Sequence, residues 1–219
     1  MWGFESPFSH HEIKQRMQKR IILVFLTLKL WKTGILGHEL KSQSTLVIAH
    51  RGASGYLPEH TQAAVALAHG LGAYFIEQDV ISTKDNHPVV LHDLTLDATT
   101  NVNNLFPRRN LKNGLFYVIY FTLAELKKLC VRECGNRSGT ESKYPRSFPG
   151  KSALFKIITL QEEIELIWGM NKSTGRKVGS LIELIDTECH RQEGKDLLAV
   201  VMKLLERYGY KTAKDRVYV

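Results

Sequence analysis

Two histidines and three carboxylates are spaced along this chain in a way that suits metal-assisted proton transfer on a phosphate ester. His50-Arg51-Gly52 ends the apolar run Leu46-Val47-Ile48-Ala49, Glu77-Gln78-Asp79 sit in a second such run, and His92-Asp93 close a third. Glu77 and Asp79 are two apart, so on a strand their side chains share a face and can hold one divalent ion together. Oxygen-only ligation favours calcium or magnesium over zinc. Two carboxylates leave the coordination shell short, and Glu183, at the end of a fourth apolar run, is the natural third ligand. A lone Glu-x-Asp is as readily a solvated strand face; two flanking strand-end histidines weigh against that reading here. His50 and His92 are the candidate proton donor and acceptor, since imidazole is the side chain whose ordinary pKa lies nearest neutrality. Arg51 offers a two-pronged guanidinium for a phosphate oxygen.

Each of these groups closes a short β-branched or aromatic run, where a parallel α/β barrel gathers its catalytic residues. From Leu46 onward short strands alternate with amphipathic helices, the pattern of βα units and a mostly parallel sheet. Strands are predicted from Leu46 to His50, Tyr74 to Val80, Pro88 to His92 and Gly179 to Asp186, with a fifth opening at Arg216. Helices are predicted from Thr61 to Leu71, Thr122 to Leu129, Thr159 to Met170 and Lys195 to Tyr208, the middle two opened by Thr122/Glu125 and Thr159/Glu162 capping boxes. Lys84 to His87 reads as a turn, and the aperiodic stretch 132–151 as a long loop or insertion. His60 is read as a residue at a helix start, Glu59 as either a cap or part of the site's electrostatics, and His10, His11 and His190 as solvated.

With 219 residues, 43% apolar and 24% charged, the composition is that of one ordinary globular domain with a sizeable core. A net charge of +8 favours phosphate-bearing partners, but no nucleic-acid reading motif occurs and no such partner is expected. Cys130, Cys134 and Cys189 form no Cys-x-x-Cys pair and are read as half-buried thiols. Residues 1–44 form a leader. Ile21 to Trp31, behind Lys14, Arg16, Lys19 and Arg20, has the basic and apolar regions of a secretory signal, yet Lys29 interrupts it and no small-x-small cleavage site follows. The leader is therefore either a degraded signal or an amphipathic segment able to dock on a membrane surface, and its apolar run is too short for a bilayer span.

The segment Val47-Ile48-Ala49-His50-Arg51-Gly52-Ala53-Ser54-Gly55-Tyr56-Leu57-Pro58-Glu59-His60-Thr61 closely resembles the start of the glycerophosphodiester phosphodiesterases, specifically the bacterial periplasmic type. Phe75-Ile76-Glu77-Gln78-Asp79, Val89-Val90-Leu91-His92-Asp93, Asn171-Lys172-Ser173-Thr174-Gly175 and Gln192-Glu193-Gly194-Lys195-Asp196 match in the same order. The resemblance covers residues 45–219 and implies an α/β fold of the TIM-barrel type. It implies hydrolysis of glycerophosphodiesters to an alcohol and glycerol 3-phosphate, in the periplasm or outside the cell. By position, His50 and His92 resemble the family's acid/base pair, Arg51 its phosphate contact, and Glu77, Asp79 and Glu183 the ligands of its calcium or magnesium ion. The chain departs from the pattern at Ile185, where the family usually places a lysine beside the phosphate. The resembling region also stops on entering a fifth strand, giving about four to five βα units of a barrel that has eight. An incomplete barrel leaves open strand edges that could pair with a second copy. The alternative to a working hydrolase is an inactive truncated remnant, or phosphate-binding module, of the same family.

Overall fold

The computed structural model describes residues 46–135 and 155–219. The predicted leader lies outside the described residues, as do His10 and His11 and most of the predicted insertion. In chain order the elements are β1 (Ile48–Ala49), α1 (Gln62–Gly70), β2 (Phe75–Ser82), β3 (Pro88–Val90), α2 (Val102–Leu105), α3 (Leu123–Leu126), α4 (Leu160–Thr174), β4 (Gly179–Leu184), α5 (Thr187–Gln192), α6 (Leu197–Arg207) and β5 (Val217–Tyr218).

β2 is the organising strand. Its even-numbered side chains face the helices: Ile76 packs with Val65 and Ala68 of α1 and Ile167 of α4. Val80 packs with Leu160 and Ile164 of α4, Ile182 of β4, and Leu197, Val201, Leu204 and Leu205 of α6. The odd-numbered Glu77 and Asp79 therefore project from the opposite face. β2 pairs in parallel with β1 on one side and β4 on the other, and β4 pairs in parallel with β5. The order β1-β2-β4-β5 makes an open sheet covered by α1, α4 and α6.

The helix termini are written in the sequence. Thr122 and Thr159 each accept a hydrogen bond from the backbone N–H three residues on, and Glu125 and Glu162 return the bond to the cap residue's own N–H. Asp196 caps α6 through Ala199 N–H. β4 begins at a glycine because it has to: a Cβ on Gly179 would lie 2.4 Å from both the Arg216 carbonyl oxygen and the Phe75 ring.

The third predicted strand is corrected by the structure. It ends at Val90 and runs antiparallel to β2, with Val80 opposite Val90 and Ser82 opposite Pro88. The physical cause is the short turn at Lys84 to His87, in which Asn86 takes a left-handed φ of 61° and Thr83 N–H bonds to the His87 carbonyl. The five residues between Ser82 and Pro88 can close a hairpin, whereas a parallel strand needs a crossover of a dozen or more. The parallel strands among the described residues thus number four. The excursion from Leu91 to Val131 folds back on this hairpin, burying Leu96, Phe116, Val118, Phe121 and Leu129 against Ile81 and Val89. Val131 and Phe155 form a bridge, Val131 N–H to Phe155 carbonyl at 2.9 Å, which brings together the two ends of the region predicted as an insertion.

Candidate metal and phosphoryl-transfer site

β2 and β4 place three carboxylates on the face opposite α1, α4 and α6. Asp79 is in register with Glu183 across the parallel pair, and Glu77 precedes Asp79 by one pleat. One oxygen from each of Glu77, Asp79 and Glu183 lies within 4.8 Å of the others. Two calcium ligands on opposite sides of one ion are about 5 Å apart, so a single ion can touch all three. Glu77 and Asp79 are buried and Glu183 is exposed.

The first turn of the site explains its backbone. Arg51 and Gly52 both adopt left-handed φ, 59° and 80°. That turn aims the Arg51 N–H at Glu77, donating to Oε2 at 2.7 Å. Gly52 is required there by space as well as by φ, since a Cβ would sit 2.9 Å from the Ala64 carbonyl carbon of α1. The other oxygen, Glu77 Oε1, is buried without a hydrogen-bond partner. A buried carboxylate oxygen left bare beside two further carboxylates is the arrangement a cation completes, so the residues present fit a divalent ion. Burial, and next the charge of Asp79, push the Glu77 carboxyl up to about 7.

Asp79 is held differently. Burial pushes its carboxyl up, but hydrogen bonding and charge from His60, together with contributions from Glu77 and His92, hold it below the usual range. His60 Nε2 lies 2.9 Å from Asp79 Oδ2. Burial lowers the His60 pKa, and Asp79 opposes that shift. His60 is therefore a neutral imidazole donating Nε2–H to the carboxylate. This corrects the reading of His60 as only a residue at a helix start: it has a left-handed φ of 56° and is 3% exposed. Its Pro-Glu-His-Thr context gave one signal, a polar cluster between a site strand and a capped helix.

His50 ends β1 with its side chain exposed. His92 does not end a parallel strand; the hairpin brings it back to the site, pinned by Leu91 N–H on the Asp79 carbonyl at 2.9 Å. Its Nδ1 lies 2.7 Å from Asp93 Oδ1, a contact that fixes the ring and leaves Nε2 for a reactant. Arg51 lies between Glu59 and Asp79, with Nη1 3.2 Å from Glu59 Oε2 and Nε 3.4 Å from Asp79 Oδ2. Of the two roles open to Glu59, site electrostatics is the one the structure shows. Ile185 is partly buried against the cluster beneath the hairpin and brings no charge to the site.

The reading of His190 as solvated is also corrected. The ring is fully buried, accepting Ser82 N–H at Nε2 (3.0 Å) and donating from Nδ1 to the Asp186 carbonyl (2.9 Å). It ties the end of β2 to the strained turn after Glu183, where Asp186 has φ 43°. Nothing local in the sequence distinguishes it, because its partner strand lies 108 residues away.

A family model described as the glycerophosphoryl diester phosphodiesterase family matches residues 50–219. The chain belongs to this family. It is 44% identical over 183 residues to the glycerophosphodiester phosphodiesterase of Haemophilus influenzae, an alignment covering 83% of this chain and 50% of that protein. To the enzyme of that name from Treponema pallidum it is 40% identical, covering 80% and 49% respectively. The crystal structure of glycerophosphodiester phosphodiesterase from Agrobacterium tumefaciens is similar at TM-score 0.51 and 27% identity, covering 76% of this chain and 54% of that one. The fold is the family's TIM-barrel-like α/β arrangement. The chain spans about half the length of the curated relatives it matches.

Proposed function

We propose that this chain carries the metal and acid/base half-site of a glycerophosphodiester phosphodiesterase, hydrolysing glycerophosphodiesters to an alcohol and glycerol 3-phosphate. The observation that carries the reading is the convergence of Glu77, Asp79 and Glu183 on one point beside His92. In this reading residues 45–219 are the phosphodiesterase part and residues 1–44 a leader, either a degraded signal or an amphipathic segment, and the resemblance to the periplasmic type supports placing the activity in the periplasm or outside the cell.

Glu77, Asp79 and Glu183 would hold a calcium or magnesium ion, which supplies positive charge for the phosphoryl oxygens. The protein's own groups do the rest. Asp93 accepts Nδ1–H from His92, so His92 Nε2 can take a proton from the attacking hydroxyl, either water, which gives glycerol 3-phosphate directly, or the glycerol 2-hydroxyl, which gives a cyclic phosphate that water then opens to glycerol 3-phosphate. His50, exposed at the end of β1, can return a proton to the departing alkoxide. Arg51, already drawn to the site by Glu59 and Asp79, can turn its guanidinium to a phosphate oxygen once a cation neutralises Asp79. His60 keeps Asp79 ionised and correctly turned throughout. A substrate is bound by charge and geometry, so most of the rate advantage comes from positioning and electrostatics.

The test is release of glycerol 3-phosphate from glycerophosphocholine by the purified full chain, with calcium, with magnesium and with chelator. Turnover that needs metal and falls about 10²-fold or more in His50→Ala and in His92→Ala is expected. Soluble folded protein that binds metal and substrate without turnover would instead establish the phosphate-binding module, a reading favoured by the uncharged Ile185.

A further inference from the structure

Glu163 occupies the middle of the buried stripe of α4, with Leu160, Ile164 and Ile167, and is 0% exposed. At such a spacing the stripe normally carries apolar residues throughout. Both of its carboxylate oxygens lack a hydrogen-bond partner, and so does Oε1 of Gln78, the β2 side chain it meets. The Gln78 amide nitrogen donates to Ser180 Oγ of β4 at 3.3 Å. Three buried acceptor oxygens on two side chains in contact, none with a donor, are a costly arrangement, and a proton on Glu163 supplies a donor between them. Burial acts in the same direction, pushing this carboxyl up to about 8, followed by the charge of Glu77, while the Gln78 contact works against the shift.

We propose that Glu163 is a positioning residue: held as the neutral acid, it donates a hydrogen bond from α4 to Gln78 and so fixes, from behind the sheet, the strands that present the carboxylates. Gln78 lies between Glu77 and Asp79 and points to the other face of β2. Through Ser180 the same chain of contacts reaches β4, three residues before Glu183. The link therefore joins α4 to both strands that carry the ligand set, without touching any of the three carboxylates through its own hydrogen bonds. This inference rests on the reading of Glu77, Asp79 and Glu183 as a metal site.

The experiment compares the wild-type full chain with Glu163→Gln, which keeps a donor, and Glu163→Met, which keeps the volume and removes it. Infrared spectroscopy looks for the carbonyl stretch of a protonated carboxylic acid at neutral pH, and calorimetry measures the affinity for calcium alone. With saturating calcium present, so that Glu77 is ionised, the expected result is a protonated-acid band in the wild type that is absent from both variants. Calcium affinity should be close to wild type in Glu163→Gln and roughly threefold to tenfold weaker in Glu163→Met, less than the 10-fold to 100-fold typical of groups bonded directly to a metal ligand, because Glu163 acts through Gln78. Wild-type affinity in Glu163→Met would show that the residue only fills space, and absence of the band would show an ionised carboxylate; either overturns the inference alone. If Glu163→Met does not fold, a Glu163→Gln affinity weakened tenfold overturns it, and an unchanged one with the band present supports it. A wild-type chain that binds neither calcium nor magnesium overturns the metal reading and this inference with it.

Discussion

Among single residues, His60 decides how the carboxylate cluster behaves. It is buried, neutral and aimed at Asp79 at 2.9 Å, so removing it strips the carboxylate of its strongest local donor. His60→Ala should weaken calcium binding by about 10-fold to 100-fold, measured by calorimetry, while His190→Ala should cost stability without abolishing ion binding. Equal effects of the two substitutions on the ion would contradict the distinct roles given to them. The sequence singled out His50 and His92 because each follows an apolar run, and Glu77, Asp79 and Glu183 because each interrupts one, and that signal is local. It could not show that His60 reaches Asp79, because the contact depends on a left-handed φ at His60 and on the chain folding back over a separation of 19 residues. Nor could it show that Arg51 binds carboxylates as well as, or before, any phosphate.

At the scale of elements, the helices α1, α3, α4 and α6 were legible, while the short α2 and α5 and the direction of one strand were not. Capping boxes announce themselves by residue type, and Thr122 and Thr159 do in the structure what their spacing predicts. The direction of β3 depends on whether a short turn or a crossover follows β2, and apolar periodicity alone is silent on that. Glu163 was missed for the opposite reason: a charged residue inside a helical stripe reads as a boundary of the apolar face, yet α4 buries it against Gln78 and β2. Its pKa, raised from 4.5 to about 8, means that the folded protein keeps a proton the unfolded chain releases over that interval. Stability therefore falls as pH rises from about 4.5 to about 8, by a total on the order of 4 kcal/mol, and changes little from this source above that window. Urea denaturation should show Glu163→Gln gaining on the wild type between pH 5 and pH 8; a constant difference across that range would refute the neutral acid.

For the molecule as a whole, the sheet sorts two kinds of chemistry onto two faces. The helix-covered face is apolar apart from the Gln78, Ser180 and Glu163 group, and the other face collects carboxylates although the chain carries a net charge of +8. That local excess of negative charge in a positively charged molecule is a strong reason to expect a cation at the site. Among the described residues no helix is long and apolar enough to cross a membrane. The register joining β2 to β4, with Asp79 opposite Glu183, spans 104 residues and is where tertiary structure adds most to the sequence. The account stands on that register making one ion site. Titration calorimetry with calcium and with magnesium, on the full wild-type chain and on Asp79→Asn, measures this directly. One ion bound per chain, with affinity reduced about 10²-fold or more by Asp79→Asn, is the result the account requires; no binding, or binding indifferent to that substitution, would contradict it.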